Sequence, residues 1–309
     1  MEPTKKVTEP SVDLPLASNA SIILSRRGDV LFRRLSETRR RATERRIHDL
    51  RVASRRLREC LTVFRQILGG AGYRKPLRAA RRLTEMLGDI RNLDVAREIL
   101  RPVVKESAGT AEARAARRYS SHLAREARGA RARLVENLRL YKCEPLERGL
   151  RDLQASFKIH PAAPLSREMV RAVLLRRMAA VFGLKSKALA PSNETAQHRL
   201  RIALKKTRYR IEVLDFAFGE TGARILTKIQ GLQDVLGNLH DLDVLLGNLR
   251  EWARQNSLEA KHPGASKDLD ALAAHLSRKR NALHRAFARR FRPLERRRLL
   301  ADLMNDLRL

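Results

Sequence analysis

The sequence predicts an all-α fold made of two related helical halves, and three observations lead there. A basic segment occurs twice: HDLRVASRRLRECLTVF from His48 returns as HRLRIALKKTRYRIEVL from His198, 150 residues later. Later landmarks keep the same order, LGDIRNLDV from Leu87 matching LGNLHDLDV from Leu236, and Pro145-Leu146-Glu147-Arg148 matching Pro293-Leu294-Glu295-Arg296. Repetition in both order and spacing marks an internal duplication. Apolar residues recur at helical spacing along the chain, and no stretch shows the alternation of a half-buried strand, so helix bundles are the expected architecture.

The elements follow in order. Residues 1–18 contain three prolines and mixed charge without periodicity, which predicts a flexible arm. The first half, 19–158, opens with a helix near Ser21 that carries Ile22, Ile23, Leu31 and Leu35 and runs into the basic segment Arg39 to Arg46. A helix over 46–68 is stopped by Gly69, Gly70 and Gly72. Helices over 74–87, 93–106, 111–141 and 144–157 follow. Two prolines in Ile159-His160-Pro161-Ala162-Ala163-Pro164 break any continuing helix and mark 159–164 as the linker between halves. The second half, 165–309, repeats the pattern with helices over 165–189, 193–218, 221–236, 241–257, 266–292 and 294–307. In the matched LGDIRNLDV and LGNLHDLDV segments, Gly88 or Gly237 is expected to end one helix. Asn92 or Asp241 then caps the next, with Asp94 or Asp243 in its first turn or orienting a nearby arginine.

Composition narrows the function. Sixty-six Lys and Arg against 34 Asp and Glu leave a formal charge of +32, far beyond what solubility requires. A polyanionic partner is implied, and DNA, RNA, acidic lipid and inorganic polyphosphate all qualify. Hydrophobic residues make up 43% of the chain, enough for a sizeable core. No apolar run reaches the roughly 18 to 20 residues that span a bilayer, and no continuous apolar segment opens the chain, so a cytoplasmic protein without transmembrane association is expected. Two cysteines, Cys60 and Cys143, do not make a disulfide framework. None of the eight histidines has zinc-ligand spacing, and neither a metal nor a cofactor is expected.

The charge is organised. At about 100° per residue, His48, Arg51, Arg55, Arg58 and Thr62 share one stripe, opposite Leu50, Ala53, Leu57, Leu61, Phe64 and Leu68. In the second copy His198, Arg201, Lys205 and Arg208 share a stripe opposite Leu200, Ala203, Ile211, Leu214 and Phe218. A solvated face ordinarily intersperses acids and bases, because like charges at i,i+4 weaken a helix. From His198 to Arg210 there are six Lys or Arg and no acid, and from Arg46 to Arg58 five Arg and only Asp49. Such stripes fit an anion-binding face. Arginine grips phosphate oxygens through paired charge-assisted hydrogen bonds, lysine adds less directional charge, and imidazolium donates directly.

These residues resemble a known family. His-x-x-Arg-Val/Ile-x-x-Arg/Lys-Arg/Lys-x-Arg, followed by Leu-Gly-x-x-x-Asn/Asp-Leu-Asp-Val and repeated once, looks like the CHAD domain, the conserved histidine α-helical domain, over about residues 20–309. The resemblance implies two helical bundles related by pseudo-two-fold symmetry, whose basic surfaces bind inorganic polyphosphate and take the protein to polyphosphate granules. Carried onto this chain, the implied binding residues are His48, Arg51, Arg55, Arg56 and Arg58 with His198, Arg201, Lys205, Lys206 and Arg208. Glu212 stands where Thr62 ends the first stripe, and Tyr209 is a second departure from the first copy. Arg78, Arg82, Arg125, Arg128, Arg278 and Arg285 also recur at helical spacing and are candidates to extend the site; Arg125 and Arg278 both follow a His-Leu pair.

Two other function classes compete. Nucleic acid is a rival polyanion, yet only 4% of residues are aromatic and the stripes lack interleaved rings for base stacking. A duplex backbone remains compatible. A magnesium-dependent phosphohydrolase would use the carboxylates of Asp241-x-Asp243 and its counterpart Asn92-x-Asp94. Against it, the chain has no Gly-x-x-x-x-Gly-Lys-Ser/Thr loop and no Gly-x-Ser-x-Gly elbow. Members of the resembled family are often joined to a CYTH-type triphosphate-processing domain, whose Glu-x-Glu-x-Lys motif is absent here, so a stand-alone, non-catalytic form is expected.

Overall fold

The computed structural model describes residues 9–106, 109–159, 164–256 and 264–309, and among these the regular secondary structure is helical. The first half contributes α1 (Leu16–Arg40), α2 (Glu44–Leu68), α3 (Arg74–Met86), α4 (Gly88–Glu106), α5 (Ala111–Leu140) and α6 (Glu144–Ile159). The second contributes α7 (Arg167–Phe182), the single turn α8 (Lys185–Ala188), α9 (Glu194–Val213), α10 (Glu220–Gln255), α11 (Ala265–Phe291) and α12 (Arg296–Asn305). A 3-10 turn, Asp215–Ala217, follows α9.

Four helix starts have a local cause in a capping side chain. Thr43, Thr110, Ser166 and Asn193 each accept a hydrogen bond from the backbone N–H three residues on, which satisfies one of the orphan donors of the first turn. Helix α2 stops at Gly69, whose φ of +72° lies in the left-handed region that favours glycine. Helix α1 ends earlier than the basic run suggested, because the chain turns at residues 41–43. Arg39 and Arg46 serve that turn. Arg39 donates to the carbonyls of Leu138 and Tyr141 at the end of α5, and Arg46 donates to Glu37 O at the end of α1.

Several boundaries differ from the sequence expectation. Helix α1 begins at Leu16, not near Ser21, because the buried side chain of Asn19 binds back to the backbone of Ser11 and Leu14. Residues 9–15 of the expected arm are therefore tied to α1, residues 16–18 belong to it, and residues 1–8 lie outside the described residues. Of the expected linker, 160–163 lie outside the described residues, and Pro164 makes an isolated antiparallel bridge to Pro15. The expected helix over 165–189 is divided at Gly183 into α7 and α8.

The continuity of α10 matters most for the site. The expected helices 221–236 and 241–257 are one helix of 36 residues, α10, and in the first half α4 already begins at Gly88. Asp241 and Asn92 therefore lie within helices and cap nothing. Leu232, Leu236, Leu239, Leu242, Leu246 and Leu249 are all buried along α10, so packing on more than one side carries the helix through Gly237. Tertiary burial overrides the modest helical cost of one glycine, about 1 kcal/mol.

Apolar burial also joins the halves. One core takes side chains from α1, α2, α3 and α6 together with α7, α9 and the first part of α10. A second core is built from Leu100 and Val103 of α4, Tyr119 and Leu123 of α5, Leu242, Leu249 and Trp252 of α10, and Leu272 and Leu276 of α11. Helices α4, α5, α10 and α11 run through both cores. Beside the second core, Asp268 of α11 accepts from Arg114 and Arg118 of α5 at 2.6 and 2.9 Å.

Because Gly237 is a helix-interior residue with a non-positive φ, Gly237→Ala is expected to stabilise the fold by about 0.5–1 kcal/mol. An added Cβ there meets only Arg201 Nε, at 3.9 Å. Thermal or denaturant unfolding checks this, and a loss of stability would show that the helix ends at residue 237.

Candidate functional site

Helices α2 and α9, the two copies of the basic segment, pack against one another. Their stripes open into one cleft of about 710 Å³, closed on its other sides by α4 and α10. His48, Arg51 and Arg55 enter from α2, His198, Arg201, Lys205 and Arg208 from α9, Arg91 from α4, and His240 and Asp241 from α10. Six Arg or Lys thus face two carboxylates, Asp234 and Asp241. Tyr209, the departure from the first copy, is buried beneath the cations, its ring centroid 5.5 Å from the Arg55 guanidinium and 4.9 Å from that of Arg208. Such placement adds cation–π attraction to two charges that would otherwise only repel. Glu212 lies 3.1 Å from Arg208 Nε and neutralises that end of the second stripe.

The cations are crowded and partly desolvated. Among the described residues, the Nε atoms of Arg55 and Arg201 are buried with no hydrogen-bond partner. A buried donor left unpaired costs about 1–3 kcal/mol, and more when charged. Burial, and then Arg201, Arg55 and Arg51, pushes the Lys205 amine down to about 7. The His198 and His240 rings lie 4.3 Å apart with their Nδ1 atoms at 3.3 Å. Burial, reinforced by Arg201, His198 and Lys205, brings His240 down to about 4, and burial lowers His198 and His48 as well. For Asp241 burial outweighs the pull of Arg201 and Arg91 and raises its carboxyl above the usual range. The lowered lysine and histidine values are what burial among like charges produces, whereas Asp241 is raised by burial alone, against the pull of the surrounding cations.

Two matched networks hold the walls in register. Arg280 of α11 donates to Asp243 at 2.8 Å, to the Pro191 carbonyl at 2.7 Å and to Gln197 at 2.9 Å, so it fixes the start of α9 next to His198. Arg131 of α5, 149 residues earlier, reaches Asp94 at 3.4 Å and Glu44, at the start of α2, at 3.6 Å. Asp94 and Asp243 thus orient arginines, one of the two roles expected for them, while the capping role is not observed.

Seven of the ten implied binding residues meet in the cleft. Arg58 instead pairs with Glu59 at 3.2 Å, Lys206 is exposed, and Arg56 lines a separate depression against α1. Arg78 and Arg82 on α3, Arg125 and Arg128 on α5, and Arg278 and Arg285 on α11 are exposed and do not line the cleft. Sequence reasoning missed Arg91, His240 and Asp241 as cleft residues. Their signal was present, since Arg91 and His240 occupy one position of the repeated Leu-Gly motif and Asn92 and Asp241 the next. It was hidden because that motif was read as a helix break.

The chain matches the CHAD domain over residues 23–250. It belongs to the CHAD domain family. That family is associated with polyphosphate binding in general. The CHAD domain of the plant Ricinus communis superimposes with a TM-score of 0.71 at 19% identity, covering 96% of this chain and 98% of the plant domain. PptA from Streptomyces chartreusis superimposes with a TM-score of 0.66 at 18% identity, covering 90% of this chain and 99% of its own. No curated protein matches the sequence significantly. At these identities the structural likeness establishes the shared CHAD fold, and this chain's own residues carry the chemistry.

The depressed Lys205 amine has a consequence for stability. Its value in the fold, about 7, lies below the ordinary 10.5, so the unfolded chain binds the extra proton. Lys205 therefore costs stability below about pH 7, and that cost fades as pH rises toward 10.5. Lys205→Met is expected to raise the thermal midpoint of the unliganded CHAD domain at neutral pH, by an amount that shrinks toward alkaline pH. A midpoint lowered or unmoved at neutral pH would contradict the assigned burial.

Proposed function

We propose that the cleft between α2 and α9 binds inorganic polyphosphate without catalysis and thereby associates the protein with polyphosphate granules. One observation carries this reading: the cations of both repeats converge on a single cleft in which the buried Nε atoms of Arg55 and Arg201 lack hydrogen-bond partners among the described residues. A flexible chain of phosphates supplies closely spaced anionic oxygens that pair with such donors. Membership of a family associated with polyphosphate supports the choice of polyanion. Nucleic acid fits less well, because among the described residues no Phe, Tyr or Trp lines the cleft to stack a base. Hydrolysis at Asp94 and Asp243 is also disfavoured, since both carboxylates are engaged by arginines and no metal-holding group of His, Cys, Asp and Glu forms among the described residues.

Arg51→Gln with Arg55→Gln, or Arg201→Gln with Lys205→Gln, is expected to weaken polyphosphate binding by at least about tenfold and to flatten its salt dependence. The exposed pair Arg125→Gln with Arg128→Gln is expected to have a much smaller effect. Equilibrium titration at matched salt, with duplex DNA and RNA as competitors, decides the ligand: preference for either nucleic acid, or cleft variants that bind like wild type, overturns the reading. Incubation with polyphosphate and magnesium is expected to release no orthophosphate; release abolished by Asp94→Asn and Asp243→Asn, with binding intact, would establish the hydrolase instead.

The same cleft predicts proton uptake. Bound phosphate favours the charged forms of Lys205, His198 and His240 and so raises groups that stand low in the free protein. Binding is strongest below the free values and weakens as pH climbs through about 7, where Lys205 must be recharged. Calorimetry in buffers of different ionisation enthalpy should register net uptake near that pH, and Lys205→Gln should reduce it.

A further inference from the structure

Arg56 belongs to a second basic depression of this surface. It lines a depression of about 220 Å³ on the far side of His48, where α1 lies over α2. Arg27 and Arg34 of α1 join it there, and Asp49 is the one carboxylate in the lining. Arg34 is committed, at 2.8 Å from Glu37 and 4.0 Å from Asp49. Arg56 and Arg27 are not held in this way. Among the described residues neither makes an ion pair, Arg56 Nε is buried without a hydrogen-bond partner, and Arg27 stands beside the buried thiol of Cys60. Two guanidiniums thus share a small niche without a carboxylate of their own.

His48 and Val52 line both the niche and the large cleft. The two depressions therefore share one wall. A flexible polyanion seated on Arg51 and Arg55 has only to continue past His48 to bring further phosphates to Arg56 and Arg27. A segment already tethered in the cleft meets the niche at high effective concentration, so even a weak second contact adds affinity.

The second half does not offer the same set. At the 150-residue offset Arg177 matches Arg27, but Leu184 stands in place of Arg34, and Lys206, the match of Arg56, is exposed. Arg177 lies close enough to Arg210 and Glu59 to feel both charges. A continuation past the cleft is thus favoured at the α1 end.

We propose that the niche of Arg27 and Arg56 is a second anion subsite that holds the phosphates of a chain too long for the cleft. It rests on the polyphosphate reading of the cleft and adds to it a preference for long chains with an assigned exit.

Titration of wild type, Arg27→Gln and the double variant Arg27→Gln/Arg56→Gln with tripolyphosphate and with long-chain polyphosphate tests this. Arg27→Gln is expected to leave tripolyphosphate affinity within about twofold of wild type and to lower long-chain affinity about fivefold, with a further loss in the double variant. In the wild-type protein, long chains should shift the Nε–H resonances of Arg27 and Arg56 while tripolyphosphate shifts only those of the cleft; this readout holds even if removing Arg27 from Cys60 disturbs folding. Long-chain affinity unchanged in both variants, or niche resonances unmoved by long chains that do bind, overturns the niche alone. A wild-type protein that binds neither polymer overturns the cleft and the niche together.

Discussion

Like charges brought into one cleft repel, and burying them removes the water that would screen that repulsion. The cleft exists because apolar packing behind α2 and α9 compensates for this cost. Leu50, Leu57 and Leu61 on one helix, and Leu200, Leu204 and Ile211 on the other, are fully or almost fully buried on the faces away from the cations. Each such side chain contributes about 1.5–3 kcal/mol on burial. Between the helices, Tyr209 places a ring under two guanidiniums, and Arg210 reaches across to Gln66 at 3.2 Å. Amphipathic helices in ordinary proteins turn such stripes to solvent; here the packing turns two of them toward each other.

The rest of the architecture keeps those helices from separating. Helices α4 and α10 bring Arg91, His240 and Asp241 to the cleft, and their farther ends are anchored in the second core with α5 and α11. The Arg280 network then ties α11 and α10 to the start of α9, while Arg131 links α5 to α4 and to the start of α2. Carboxylates that sequence reasoning offered as magnesium ligands are thus used to aim arginines. A charged cluster held this firmly is preorganised for an anion, because little side-chain entropy remains to be lost on binding.

This arrangement trades stability for binding. Lysine and histidine side chains with lowered proton affinity are unfavourable in the free protein, and an incoming polyanion relieves them. Ligand binding and folding are consequently coupled, since any species that binds only the folded state stabilises it.

How much was legible in the sequence varies by element. The all-α class, the duplication, the apolar faces and the end of α2 followed from the repeated segments, 3.6-residue periodicity and the glycine at Gly69. His48, Arg51, Arg55, His198, Arg201, Lys205 and Arg208 were legible as a site because their periodicity set them opposite the core. Continuity of α10 through Gly237 was not legible, since a lone glycine before an aspartate satisfies the local rules for a helix end and only burial along α10 overrules them. Nor could periodicity separate Arg58 from Arg55, or tell which outlying arginines approach the cleft, because one helix projection does not say which neighbours cover its flanks. By itself the sequence determined which residues form helices and which face of each carries charge. Tertiary structure decided that the two faces meet, because that depends on the packing of helices from both halves around shared cores.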